Sequence, residues 1–101
     1  LRHRLVLEAP VRAADGGGGA VVTWVALAEV WAAIEPVTAA ERVTADGVSG
    51  RASHEITVRH RADIAPAMRF RLAGRILEIT GILDIDERRR LLKCFCREED
   101  L

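Results

Sequence analysis

The chain has 101 residues, half of them hydrophobic, which suffices for one domain over residues 1–101 and is too little for two independent cores. Fifteen basic residues balance fifteen acidic ones, so the global positive field on which non-specific nucleic-acid binding relies is missing. No apolar run approaches the roughly 20 residues of a membrane span, and Leu1-Arg2-His3-Arg4 lacks the apolar stretch of a signal peptide, so a cytosolic origin without membrane contact is the expectation.

In chain order, His3 to Arg12 alternates Leu5 and Leu7 with Val6 and Glu8 and stops at Pro10, which reads as a first strand with an edge-like or bulged end. Ala13 to Ala20 holds four consecutive glycines and forms a flexible turn. A phosphate loop does not fit there, because no Gly-Lys-Ser/Thr follows and β-branched residues come next. Val21 to Val37 matches both a helical face (Trp24, Leu27, Ala28, Trp31, Ile34) and β propensity. Two strand pieces with a bulge near Ala26 to Ala28 are the preferred reading, and a helix is the alternative. With two Trp and two Phe in the chain, the core should be largely aliphatic, and Trp24 and Trp31 are expected to be its largest pieces or to anchor a subunit boundary.

Thr38 to Asp46 places Thr38 as an N-cap, Glu41 in the capping-box position and Gly47 as a stop, which predicts a short helix; Gly47 to Ser53 then returns as a loop. Together they make one connection longer than inter-strand links usually are, hence a functional candidate. His54 to Arg61 alternates with Ile56 and Val58 on one side; Pro66 to Leu72 gives a short strand (Met68-Arg69-Phe70-Arg71-Leu72); Ala73-Gly74 is a tight turn. Arg75 to Ile85 is a longer strand with a bulge at Gly81, Asp86 to Arg89 a turn, and Arg90 to Arg97 the last strand. The fold class is therefore mainly β: a small antiparallel β-barrel or sandwich of about six strands, with one short helix in a long inter-strand connection.

No catalytic constellation emerges, and the chain reads as a non-enzyme. His54-Glu55 resembles the start of a zinc-protease motif, but position 58 is Val58, and on a strand His54 and His60 lie about 20 Å apart, too far for one metal ion. Ser49 and Ser53 lack a nucleophile-elbow context. Cys94 and Cys96 share one strand face and read as buried or half-buried free thiols. No cofactor and no metal are expected. Charge is uneven: residues 1–50 carry four Arg against six acids, 51–75 six Arg against two, and 76–101 five basic residues against seven acids. Such alternation suits head-to-tail packing of identical subunits or a solvated surface. Arg59, Arg61, Arg69 and Arg71, with the run Arg88-Arg89-Arg90, are the candidates for ion pairs to a neighbouring subunit or partner.

Read end to end, the order of landmarks resembles the phage head-tail joining proteins, the stopper or head-completion family of tailed phages and related gene transfer particles. The pieces are Leu1-Arg2-His3-Arg4, the Asp15-Gly turn, Thr23-Trp24, Val30-Trp31-Ala32 with Glu35-Pro36, and Glu41 opening the variable connection. They continue with His54 to Arg59, Met68-Arg69-Phe70, Gly74-Arg75-Ile76, and Asp84 to Leu92 leading into Cys94. The glycine-rich Asp15 to Gly19 turn departs from the family's usual polar turn and leaves open whether that hairpin makes a partner contact.

The resemblance implies a small β-barrel subunit at the particle neck, assembled in the bacterial cytoplasm. It would form a ring with copies of itself, between an adaptor or portal-side connector and a tail terminator or tail-tube protein. The connection Val37 to Ser53 would then point into the channel and hold packaged DNA, with Glu41, Arg42, Asp46, Gly47, Gly50 and Arg51 as gate-loop residues. The alternative from another class is a monomeric small barrel that binds a peptide or nucleic acid.

Overall fold

The computed structural model describes residues 2–14, 16–37 and 53–99. Six strands form one sheet: β1 (His3–Ala14), β2 (Ala20–Pro36), β3 (His54–Arg59), β4 (Arg69–Leu72), β5 (Arg75–Asp84) and β6 (Leu91–Glu98). Their order is β1-β2-β3-β6-β5-β4, every neighbour is antiparallel, and β4 returns to β1, so the sheet closes into a barrel rather than a sandwich.

The alternation of β1, β3 and β6 puts Leu5, Leu7, Ile56, Val58, Leu92, Cys94 and Cys96 inside, where they meet Ala32, Phe70, Leu77 and Ile79. The core is aliphatic as expected, yet its largest member is Phe70. The two tryptophans do not build it. Trp31 is 52% exposed and Trp24 is half-buried on the outer wall. Burial pushes the Cys94 thiol up to about 12 and raises that of Cys96 as well, so both stay protonated and inert.

The segment from residue 21 to 36 is one continuous strand rather than two pieces or a helix. Its length comes from serving two neighbours in succession: residues 20–32 pair with β1, whereas residues 32–36 pair with β3, with Ala32 shared by both. A bulge does fall within residues 26–28: Leu7 faces Ala28 and Glu8 faces Ala26, leaving Leu27 as the extra residue. The second bulge lies at Thr80, beside Gly81. There Ile79 faces Cys96 and Gly81 faces Phe95, and the Thr80 hydroxyl donates to the Phe95 carbonyl at 3.1 Å. Pro10 does not end β1, because beyond Glu8 that strand is paired on one side only and a missing donor can face the open side.

The antiparallel order sorts the connections onto two ends. One end carries the β1–β2 turn, residues 60–68 and residues 85–90; the other carries Val37, Ser53 and the Ala73-Gly74 turn. The expected helix Thr38–Asp46 and the loop that follows it lie outside the described residues, apart from Ser53.

Candidate functional site

The root of the long connection is built at one barrel end. Below the last β2–β3 pair, Pro36 with His54, the Val37 N–H donates to the Ser53 carbonyl at 2.9 Å. The chain therefore leaves and re-enters the barrel at adjacent points. Ser53 is tied to β6 as well: its N–H donates to the Cys96 carbonyl at 2.8 Å, and its hydroxyl oxygen accepts the Glu98 N–H at 2.9 Å. The same oxygen lies 2.9 Å from His54 Nδ1. On the other side of the ring, His54 Nε2 is 3.9 Å from Glu98 Oε1, and Arg75 clamps the Glu98 carboxylate with contacts of 2.9 and 3.1 Å. That guanidinium holds the Glu98 carboxyl below the usual glutamate range.

Serine, histidine and glutamate thus meet here, but Ser53 is fastened to two β6 backbone groups. The cluster is a strut that fixes the connection's root to three strands. Sequence reading placed Ser53 at the end of the returning loop and assigned it no role. The missing signal was non-local, since Glu98 lies 45 residues away. Glu41, Arg42, Asp46, Gly47, Gly50 and Arg51, the expected gate residues, lie outside the described residues.

The candidate contact arginines separate into two groups. Arg61 pairs with Asp63 at 2.9 Å, and Arg69 and Arg71 both pair with Glu8, at 2.7 and 3.1 Å. These three are engaged within the chain. Arg59, Arg88, Arg89 and Arg90 have no carboxylate partner among the described residues, and all four are exposed at the end opposite the connection's root. The turn that carries the triple arginine holds Asp86, Glu87 and Arg89 at φ of 60, 54 and 55°, a region that non-glycine residues rarely enter. Asp84 stabilises it by accepting the Arg89 N–H at 3.2 Å.

Where β2 and β3 part, Glu29, Val30, Trp31, Arg59, His60 and Arg61 line an open groove of about 280 Å³. Among the described residues no three His, Cys, Asp or Glu side chains gather as metal ligands, and no helix is long and apolar enough to cross a membrane.

Each tryptophan sits on an arginine: Arg69 lies 4.0 Å from the Trp24 ring centre and Arg4 lies 4.9 Å from that of Trp31. In urea unfolding, Trp24→Ala is expected to cost about 1–2 kcal/mol, through the lost stack and half-buried area, and Trp31→Ala less than about 1 kcal/mol. Equal losses of about 3 kcal/mol or more would restore both to the core.

Among curated proteins none matches the chain. Two solved structures resemble it over nearly its whole length. Protein SF1141 from Shigella flexneri 2a is 30% identical with a TM-score of 0.78, over 97% of this chain and 92% of that one. A chain of the virion of a native gene transfer agent particle is 32% identical with a TM-score of 0.73, over 100% of this chain and 96% of that one. The family described as phage head completion protein matches residues 1–99. The chain belongs to the phage head completion protein family, and it is a structural component of a virion or virion-like particle.

Proposed function

We propose that the chain is a ring-forming subunit of the head–tail neck of a tailed phage or gene transfer particle. It joins the portal or adaptor side to the tail terminator or tail tube and helps to retain packaged DNA. Its role is structural rather than catalytic. The observation that carries this reading is the strut of Val37, Ser53, His54, Arg75 and Glu98, which anchors both ends of the connection on a closed barrel. A gate that must resist pressure from packaged DNA needs such a rigid mount. Family membership and the likeness to a virion component support the neck as the setting.

Arg42 and Arg51 in the connection would meet DNA phosphates, and in a ring their charge is multiplied by the number of subunits, so contact with DNA is compatible with a neutral chain. Arg59 and Arg88 to Arg90, unpaired within the described chain, would face acids of a neighbouring subunit or connector protein.

The test shortens the connection between Thr38 and Gly50 while leaving Val37 and Ser53 in place. The expected result is a chain that folds and enters particles, with packaged DNA escaping from filled, tail-less heads. Heads that hold their DNA as before would refute the gate.

A further inference from the structure

The β1–β2 hairpin outruns the barrel. Ala9 to Ala14 pair with Val25 to Ala20, but β4 pairs only with Val6 to Glu8, and β3 joins β2 only from Ala32 onward. The ribbon of six residue pairs spans about 20 Å, in keeping with a molecule 44 Å long and 26 Å across. Gly16 and Gly18, at φ of 84 and 85°, take the left-handed conformations that turn its tip.

The alternation that puts Leu5 and Leu7 in the core continues past the barrel rim to Ala9, Val11 and Ala13, which lie opposite Val25, Thr23 and Val21. This face has no charge, and Val11, Val21 and Val25 are 49, 53 and 43% exposed. Over residues 9–14 and 20–28 the one charged residue is Arg12, in a chain that is 30% charged.

A two-stranded ribbon is marginal in water, and natural proteins guard open strand edges with charge. Among the described residues both edges of this arm are open and almost unguarded, yet its root is braced, because Trp24 stacks on Arg69, which is paired with Glu8. Such an arm is set in one direction before it meets its partner.

Its chemistry also selects that partner. Phosphates and lipid headgroups would find one arginine, whereas an uncharged aliphatic surface with an open backbone edge would match. The chain carries that surface twice, once on β1 and once on β2, with opposite strand directions. Copies related by rotation about an axis along the arm would place the open edge of β1 antiparallel to the open edge of the next copy's β2. The contact is head-to-tail and can close into a ring. Pro10 offers no donor, so pairing on the β1 side would begin at its tip-ward neighbours.

We propose that the arm of one copy pairs with the arm of the next, Val11–Ala14 against the β2 edge of residues 20–28, pooling the apolar faces into a continuous collar. This deepens the ring reading above and rests on it.

Sedimentation of the full chain over a range of concentrations tests the contact itself. Wild type is expected to self-associate, and Val11→Lys with Val25→Lys to weaken that association at least about tenfold with an unchanged melting temperature. Val22→Lys, on the opposite face, should associate like wild type. If the double variant does not fold, Thr23→Lys carries the same expectation. Association that survives the face substitutions, or that falls equally with Val22→Lys, would overturn the collar. In assembled particles, p-benzoylphenylalanine in place of Thr23 should give a ladder of chain multimers. Cross-links to a different protein alone, or none, would overturn the second copy as occupant. A chain that associates through the arm but is absent from particles would instead remove the neck reading and leave the contact standing.

Discussion

Replacing Phe70 with alanine is expected to lower the unfolding free energy by about 3–5 kcal/mol, a large share of the roughly 5–15 kcal/mol typical of a whole domain. Phe70 is the largest fully buried side chain and the one aromatic residue in the main core cluster. It occupies the middle strand of a row in which Leu7 of β1 faces Phe70 of β4, and Phe70 faces Leu77 of β5. The barrel closes at that row, because β1 and β4 share only the pairs from Val6–Arg71 to Glu8–Arg69. Truncating the ring there leaves a cavity at the shortest ladder of the barrel, and the neighbours are aliphatic chains held by their own strands. Urea unfolding would read the loss as a lower midpoint with little change in slope. Phe70→Leu should retain most of the stability, and a loss below about 1 kcal/mol for the alanine variant would show that the seam is held elsewhere.

Much of this architecture was legible because strand alternation is a local property. Ile56 and Val58, like Leu92 and Cys94, share a face in the sequence and share the core in the fold. Ala73-Gly74 and the bulge near Leu27 were likewise readable from a few adjacent residues. The closed barrel was not distinguishable from a sandwich, since closure depends on β4 finding β1 across some 60 residues, and no short window contains that pairing.

The tryptophans were misplaced in the core for a related reason. Around Val30-Trp31-Ala32 both faces of β2 are apolar, so the pattern has no phase, and size alone suggested burial for a residue that packs on Arg4 outside. The Ser53–Glu98 strut joins residues from separate strands and could not be read from either. For the arginines, charge density pointed to residues 51–75 as one contact surface, but Arg61, Arg69 and Arg71 have partners in their own chain while Arg59 does not. Sequence shows where charge lies, and only the register shows which charge is already matched.

Glu8 is the sharpest instance of such hidden matching, and its replacement is the second large effect expected. Alternation places it outward from Leu7, where a glutamate should meet water, yet it is 6% exposed. Arg69 and Arg71 project from β4 over it: Arg69 Nε donates to Oε1 at 2.7 Å, Arg71 Nε forms an ion pair with Oε2 at 3.1 Å, and Trp24 covers Arg69. Glu8→Ala would remove the counter-charge from Arg69, whose side chain is largely enclosed, and leave its donors without an acceptor. Breaking a buried pair costs about 3–5 kcal/mol. Arg71 remains half-exposed and can be hydrated, which lowers the expected loss to about 2–4 kcal/mol.

The loss should be local in its consequences. Glu8 is the last β1 residue paired with β4, so the stack of Glu8, Arg69 and Trp24 fixes the angle at which the arm departs. In Glu8→Ala, protease cleavage near Gly16 to Gly19 should therefore quicken more than hydrogen exchange at Ile56 or Cys94 in the barrel. A double-mutant cycle with Trp24→Ala should show coupling, because the ring depends on an arginine that the carboxylate holds in place. Additive losses, or cleavage at the turn unchanged while the barrel loosens, would show that Glu8 supports the barrel as a whole and leaves the arm's direction to its backbone.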